Sequence, residues 1–365
     1  MPQPKPKAKL LIGRSFYRKG ILLALLIALG AVVFSNCLPA PFFDAPHSTV
    51  LLDRNGNLLG ASIARDEQWR FPPVAELPEK FVKAITCFED RRFFYHPGVD
   101  PLAVARALWL NFKSGRTVSG ASTITMQVIR LSRSGQPRTV KEKLIEMLMA
   151  LRLEFAMSKR EILALYASHA PFGGNVIGIE AAAWRYFGRA PDTLSWAENA
   201  LLAVLPNNPA LIHPGKNRQK LVQKRNALLD RMHKDGILNA LTCKLAKAEP
   251  LPPRPLAIPG LAPHLLARLN LTRTSFEQQG PKTSRIFSGN HRIRTTLIRE
   301  IQIRASAIVR RHLPGLSGNG IHNAAAVIME VDSGNILAYV GNIPDFSQPE
   351  HANFVDIITA PRSTG

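Results

Sequence analysis

The sequence predicts a mainly α-helical protein, with a short β-hairpin near its start and a small α+β region at its end. Three observations carry this expectation. Residues 78–236 place apolar side chains at three- and four-residue spacings, the period of a helix with one buried face. Residues 49–63 form two short apolar runs around Asn55-Gly56, the chemistry of a tight hairpin turn. Residues 324–341 give a second hairpin, turning at Asp332-Ser333-Gly334, after a strand and helix over 293–311.

Taken in order, residues 1–19 form a basic N-terminus carrying Lys5, Lys7, Lys9, Arg14, Arg18 and Lys19. Residues 20–38 come next as an uncharged apolar run, just long enough to cross a ~30 Å hydrocarbon layer. Positive charge ahead of an apolar span favours a cytoplasmic N-terminus and export of the rest of the chain. A cleaved signal peptide is the rival reading, since the most hydrophobic part, 21–34, is short and Pro39-Ala40-Pro41 comes next. The net charge is +21, of which +15 lies beyond residue 19. Anionic lipid surfaces account for that excess at least as well as nucleic acid, which is not expected as a partner. Three cysteines, Cys37, Cys87 and Cys243, make no disulfide framework, and no CxxC or HExxH pattern suggests a structural zinc. Within the helical region, loops are expected around 113–121, 132–137 and 206–219. Six prolines over 250–263 predict a linker or extended strap.

Chemistry concentrates in three clusters. The first is Glu89-Asp90-Arg91-Arg92-Phe93-Phe94-Tyr95-His96-Pro97-Gly98-Val99-Asp100, a carboxylate pair where an apolar helix (78–88, with Phe81, Ile85 and Phe88 inward) meets an irregular loop. Neighbouring helical side chains diverge by roughly 100°, so Glu89 and Asp90 take different roles. Solvated acids at a helix end are the plain alternative. The second cluster, Gly120-Ala121-Ser122-Thr123-Ile124-Thr125-Met126-Gln127-Val128-Ile129-Arg130, combines close backbone approach with the donors an anionic ligand requires. The third, Arg138-Thr139-Val140-Lys141-Glu142-Lys143-Leu144-Ile145-Glu146, opens a helix whose apolar stripe is Leu144, Leu148, Leu151 and Phe155. Lys143 and Glu146 then share a neighbouring face. Cations gathered near one carboxylate suit a phosphate-handling site, or simply a solvated helix start.

Together the three clusters resemble the first three motifs of the bacterial peptidoglycan glycosyltransferases, the family of the class A penicillin-binding proteins. Two further motifs come in order: Ser158-Lys159-Arg160-Glu161 leading to Ala170-Pro171-Phe172-Gly173-Gly174-Asn175, then Leu194-Ser195-Trp196-Ala197-Glu198 before Leu201-Leu202-Ala203-Val204-Leu205-Pro206. The Gly-Ala-Ser-Thr-Ile-Thr-Met-Gln and Ala-Pro-Phe-Gly-Gly-Asn wordings resemble the family's 1C branch. The resemblance implies a lysozyme-like glycosyltransferase domain over 46–245, a membrane anchor at 20–38, a Pro-rich linker over 246–290 and the opening of a transpeptidase domain over 291–365. It also implies an inner-membrane protein with its catalytic part on the periplasmic side. Expected partners are lipid II, the growing glycan strand, inner-membrane lipids and cell-wall synthesis proteins.

By the same resemblance, the 4-hydroxyl of an acceptor sugar attacks C1 of the growing glycan, and undecaprenyl pyrophosphate departs. Glu89 is the implied base. Arg130, Arg138 and Lys143 are the implied cations for the diphosphate, with Ser122 and Gln127 as hydrogen-bond partners. Glu146 matches the family's second glutamate, orienting the donor phosphates either through these cations or through a divalent ion such as Mg or Mn. Some residues depart from the pattern: Arg130 and Met126 replace a usual lysine and glutamine, and Glu142 stands where a basic residue is common. No Ser-x-x-Lys occurs and Lys-Thr-Gly is absent, so transpeptidation is not expected of a chain that ends at Gly365. The hairpin at 324–341, lacking most of a sheet, is expected to pack loosely. The competing functions are an inactive membrane scaffold and a lysozyme-like glycan hydrolase.

Overall fold

The computed structural model describes residues 9–116, 120–133, 135–137, 139–207, 214–278, 291–344 and 349–361. Its elements run α1 (Lys9–Ser35), β1 (Val50–Leu52), β2 (Leu58–Ala61), β3 (Trp69–Arg70), α2 (Glu79–Glu89), α3 (Pro101–Ser114), α4 (Ile124–Ser132), α5 (Val140–Ala156) and α6 (Lys159–His169). Next come β4 (Pro171–Gly173), β5 (Val176–Ile177), α7 (Ile179–Phe187), α8 (Trp196–Val204), α9 (Arg218–Lys234), α10 (Ala240–Ala248) and α11 (Pro263–Gln278). The last are β6 (Arg292–Arg294), α12 (Arg299–Ser317), β7 (Ala326–Met329) and β8 (Ile336–Val340). The fold is mainly helical with small sheets, and it divides into two compact units: residues 1–44 with 89–163, and residues 45–88 with 164–365.

The first unit is built on α4 against α5. Thr123 caps α4 by accepting from the Met126 amide, and Thr139 caps α5 through the Glu142 amide. Here the structure corrects the sequence reading of α5. Its apolar stripe is turned outward, with Leu144, Leu148 and Phe155 exposed, while Glu146, Met149, Ala150 and Leu153 are buried. The helix therefore packs the face that carries the charge pairs to α4. On α3, Leu102, Leu108, Trp109 and Phe112 are exposed as well. So much uncovered apolar surface marks an interaction face rather than a solvated one. The end of α1 meets α5, with Phe34 edge-on to Phe155. The anchor expected at 20–38 is helical only as far as Ser35. Its uncharged part, residues 20–35, rises roughly 24 Å at 1.5 Å per residue, short of a ~30 Å hydrocarbon layer. Among the described residues no helix is long and apolar enough to cross a membrane.

The second unit holds the hairpin expected at 49–63. Strands β1 and β2 pair antiparallel, and Asp53 ties the turn by accepting from the amides of Asn55 and Asn57. Strand β6 adds to β1 in parallel, completing a three-stranded sheet from residues about 240 positions apart. A second small sheet, β3-β5-β4, forms the Ala170–Asn175 motif into a tight turn. Gly178 at its end is required, because φ is +85° and a Cβ would meet the Ser168 carbonyl at 2.7 Å. Helix α8 is capped by a Ser195/Glu198 capping box and is buried along almost its whole length. The Pro-rich stretch is a strap: Leu261 donates to the Leu59 carbonyl, and Arg218 gathers the carbonyls of Pro252 and Pro253. Within the expected linker lies α11, whose Leu266 joins Leu51, Leu59, Leu297 and Tyr339 in one apolar cluster. The hairpin β7–β8 is not loose along β8. Gln302 of α12 holds that strand by donating to the Tyr339 carbonyl and accepting from the Tyr339 amide.

Candidate active site

The site is assembled in the first unit, from the loop after α2, the start of α4 and the start of α5. The loop is fixed first. Asp90 is buried, lies 3.0 Å from His96 Nε2 and accepts from the Ile124 amide at 3.1 Å. Arg92 grips Asp100 with two nitrogens, and Asp100 caps α3 through the amides of Leu102 and Ala103. Burial alone would raise the Asp100 carboxyl, but Arg92 and the Ala103 amide outweigh it and hold it below the usual range. Thr123 donates to the Gly98 carbonyl at 2.5 Å. Gly98 has φ of +92°, and a Cβ there would strike the Ala150 carbonyl at 2.6 Å, so the loop lies directly on α5. Asp90, His96 and Asp100 thus hold the frame, with Asp90 receiving the first amide of α4, while Glu89 is the carboxylate of the cluster that meets a side chain of α4.

Helix α4 reaches both predicted carboxylates. Gln127 Nε2 donates to Glu89 Oε2 at 2.7 Å. One turn on, Arg130 forks onto Glu146, with Nε to Oε1 at 2.8 Å and Nη2 to Oε2 at 2.7 Å. Positions three apart on a helix face the same way, with Cβ atoms about 5–6 Å apart. The two glutamates are therefore held by adjacent side chains of a single helix face. Lys143 Nζ donates to Ser122 Oγ at 2.6 Å. Ser122, Arg130, Lys143 and Glu146 line one cavity of about 430 Å³, together with Arg133, Gln136, Thr139 and Glu142. Glu89 and Gln127 stand outside its lining. Arg138 lies outside the described residues.

The electrostatics suit an anion. The hydrogen bonds that Arg130 donates to Glu146 raise its pKa further, so its charge is permanent. Burial, and then the positive charge of Arg130, draw the Lys143 ammonium below the ordinary lysine value, while Glu146 pulls the other way. A half-buried cation destabilised by a neighbouring cation gains when an anion arrives. Both Glu146 oxygens are already engaged by Arg130, and among the described residues no three His, Cys, Asp or Glu gather as a metal site.

Two charged residues of the cavity, Arg133 and Glu142, carry no prediction as site residues. Arg133 lies in a stretch expected to be loop, and Glu142 reads only as a departure from the usual basic residue. Two arginines three apart, Arg130 and Arg133, against two glutamates four apart, Glu142 and Glu146, were the available signal.

Residues 55–233 match the transglycosylase family. The chain is 34% identical to penicillin-binding protein 1C of Escherichia coli (strain K12) over 331 residues, covering 90% of this chain and 40% of that protein. It is also 34% identical to penicillin-binding protein 1A of Aquifex aeolicus over 239 residues, or 64% of this chain and 32% of that one. A crystal structure of penicillin-binding protein 1A from Haemophilus influenzae aligns over 80% of this chain and 32% of its own, at 18% identity and a TM-score of 0.33, an overlap too low to speak for the fold. The chain thus spans less than half the length of these relatives. Residues 55–233 are a transglycosylase domain, and through it the chain belongs to the class A penicillin-binding protein glycosyltransferases.

Proposed function

We propose that this chain is a peptidoglycan glycosyltransferase that joins lipid II units into glycan strands and releases undecaprenyl pyrophosphate. The observation that carries the reading is one helix face, α4, holding a carboxylate through Gln127 and opening a cationic cavity through Arg130. A hydroxyl is a poor nucleophile at neutral pH, so its proton must leave as the glycosidic bond forms. Glu89 takes that proton, a role worth roughly 10²–10⁴ in rate. Gln127 keeps the carboxylate aimed by donating to one of its oxygens. The departing diphosphate is received by Arg130 and Lys143, with Ser122 as a further donor and Arg138 as a fourth group. Each charge-assisted contact is worth about 1.5–3 kcal/mol. Glu146 acts through Arg130: its two oxygens hold the guanidinium plane in place at the cavity wall. No step is assigned to a metal.

The same reading places the chain at the inner membrane, with α1 entering the lipid as a single anchor and the catalytic groups on the periplasmic side. The basic residues ahead of the apolar part of α1 and the outward apolar faces of α3 and α5 support it. An anchor a few ångströms short of the bilayer is accommodated by local thinning at modest cost. Domain limits of 46–245 for the glycosyltransferase part and 291–365 for a transpeptidase opening belong to the same proposal. Among these 365 residues there is no Ser-x-x-Lys, so the reading assigns these residues glycosyl transfer.

The test is polymerisation of labelled lipid II by the detergent-purified chain, comparing wild type with Lys143→Gln. Wild type is expected to make glycan, and the variant to make it at least tenfold more slowly. Glycan release from purified cell wall with no consumption of lipid II would establish a hydrolase instead.

A further inference from the structure

Two arginines, one turn apart at the end of α4, face the same cavity but are held very differently. Arg130 is locked in a fork by Glu146, both of whose oxygens it uses. Arg133 meets Glu142 with Nη2 to Oε1 at 2.7 Å. Its Nη1 faces only the Met149 sulfur at 3.3 Å, a weak acceptor. Its Nε is buried and finds no acceptor among the described residues. A guanidinium offers five donors, and fork geometry is the strong mode of binding carboxylate or phosphate. Arg133 is therefore half-used, and it lines the cavity beside Lys143. Glu142 lines it too, in the first turn of α5 where backbone amides favour an anion.

We propose that Glu142 is a built-in stand-in for substrate phosphate: it holds Arg133 at the cavity wall until an anionic group of the donor displaces it, making Arg133 a further cation of the diphosphate site. Arg133 then contacts the substrate, and Glu142 is a positioning residue that acts through it. The inference rests on the reading of the cavity as a diphosphate site. The lining carries three described cations and two carboxylates. Both carboxylates oppose an incoming diphosphate, but only Glu142 sits on an arginine with donors to spare. Competition at Arg133 lets the site release its product as well as bind its donor, because the leaving diphosphate is replaced by a carboxylate rather than by nothing.

The test is the affinity of inorganic pyrophosphate for the full detergent-purified chain, in wild type, Lys143→Gln, Glu142→Gln, Arg133→Gln and the Glu142→Gln/Arg133→Gln double variant. Wild type is expected to bind, and Lys143→Gln to bind much more weakly, which checks the cavity itself. Glu142→Gln, which keeps an acceptor for Arg133 without its charge, should tighten binding about three- to tenfold. That gain should vanish in the Arg133→Gln background. If Arg133→Gln does not fold, Arg133→Lys replaces it and should keep only part of the gain. An equal gain in both backgrounds would show a general charge effect and overturn the proposal, as would no gain from Glu142→Gln. If neither wild type nor Glu142→Gln binds pyrophosphate, the diphosphate reading falls and the inference with it.

Discussion

Helices α5 and α8 obey opposite rules. Helix α8 of the second unit buries Ala197, Ala200, Leu201, Leu202, Ala203 and Val204, and its start is closed by a complete capping box. Helix α5 of the first unit buries a glutamate and leaves Leu144, Leu148 and Phe155 outside. The first arrangement is what apolar burial produces, with a buried Asn199 that donates to the Leu194 and Ser195 carbonyls. The second makes sense only if the outward face meets something other than water and the inward face serves a ligand. Charge pairs such as those across α4 and α5 return little net stability once desolvation is counted, so their value lies in what they position. Stability is concentrated where the apolar face is covered, and chemistry where it is not.

That contrast can be broken by mutation. Leu201→Ala in α8 should cost about 2–5 kcal/mol of unfolding free energy, as expected for a cavity in a closed core, measured by denaturant titration. His169, also in the second unit, provides a pH handle. Burial drives its pKa down to about 4, helped by the nearby His47 and Arg70 charges and opposed by its contact with the Leu165 carbonyl. The native state therefore binds fewer protons than the unfolded chain between pH 4 and the ordinary value of 6.5. Stability should be fully present above about 6.5 and fall by about 3 kcal/mol as pH drops to 4, and His169→Asn should remove most of that slope.

Smaller effects belong to the first unit. The ammonium of Lys143 is held below the ordinary lysine value, so pyrophosphate affinity should fall on the alkaline side sooner than a free lysine dictates. Lys143→Arg should push that fall to higher pH, since a guanidinium stays charged. Leu144→Ala should change stability by no more than about 0.5 kcal/mol while weakening sedimentation with anionic lipid vesicles. Equal destabilisation by Leu144→Ala and Leu201→Ala would erase the distinction between the two helices.

Much of this is legible in residue spacing. The hairpin at 49–63 and the α2 face with Phe81 and Ile85 obey local rules, and both are found. The site residues can be named as types, because an acid, a donor-rich helix start and a basic helix start each need particular side chains. Their pairings cannot be read. That Gln127 serves Glu89 while Arg130 serves Glu146 depends on how α4 lies on α5, which no local period encodes. The orientation of α5 escapes the sequence because an apolar stripe normally marks the buried face, and here it marks the reverse. Helix α11 is hidden by the prolines before it. The partnership of β6 with β1 lies some 240 residues apart, beyond any local signal.

The most direct test of the account is lipid II turnover by Glu89→Gln at matched substrate occupancy. The account predicts glycan formation reduced about 10²–10⁴-fold, with pyrophosphate affinity unchanged, because the amide still accepts from Gln127 but takes no proton. Wild-type rates from that variant would show that the proton leaves by another route, and the central assignment would be wrong.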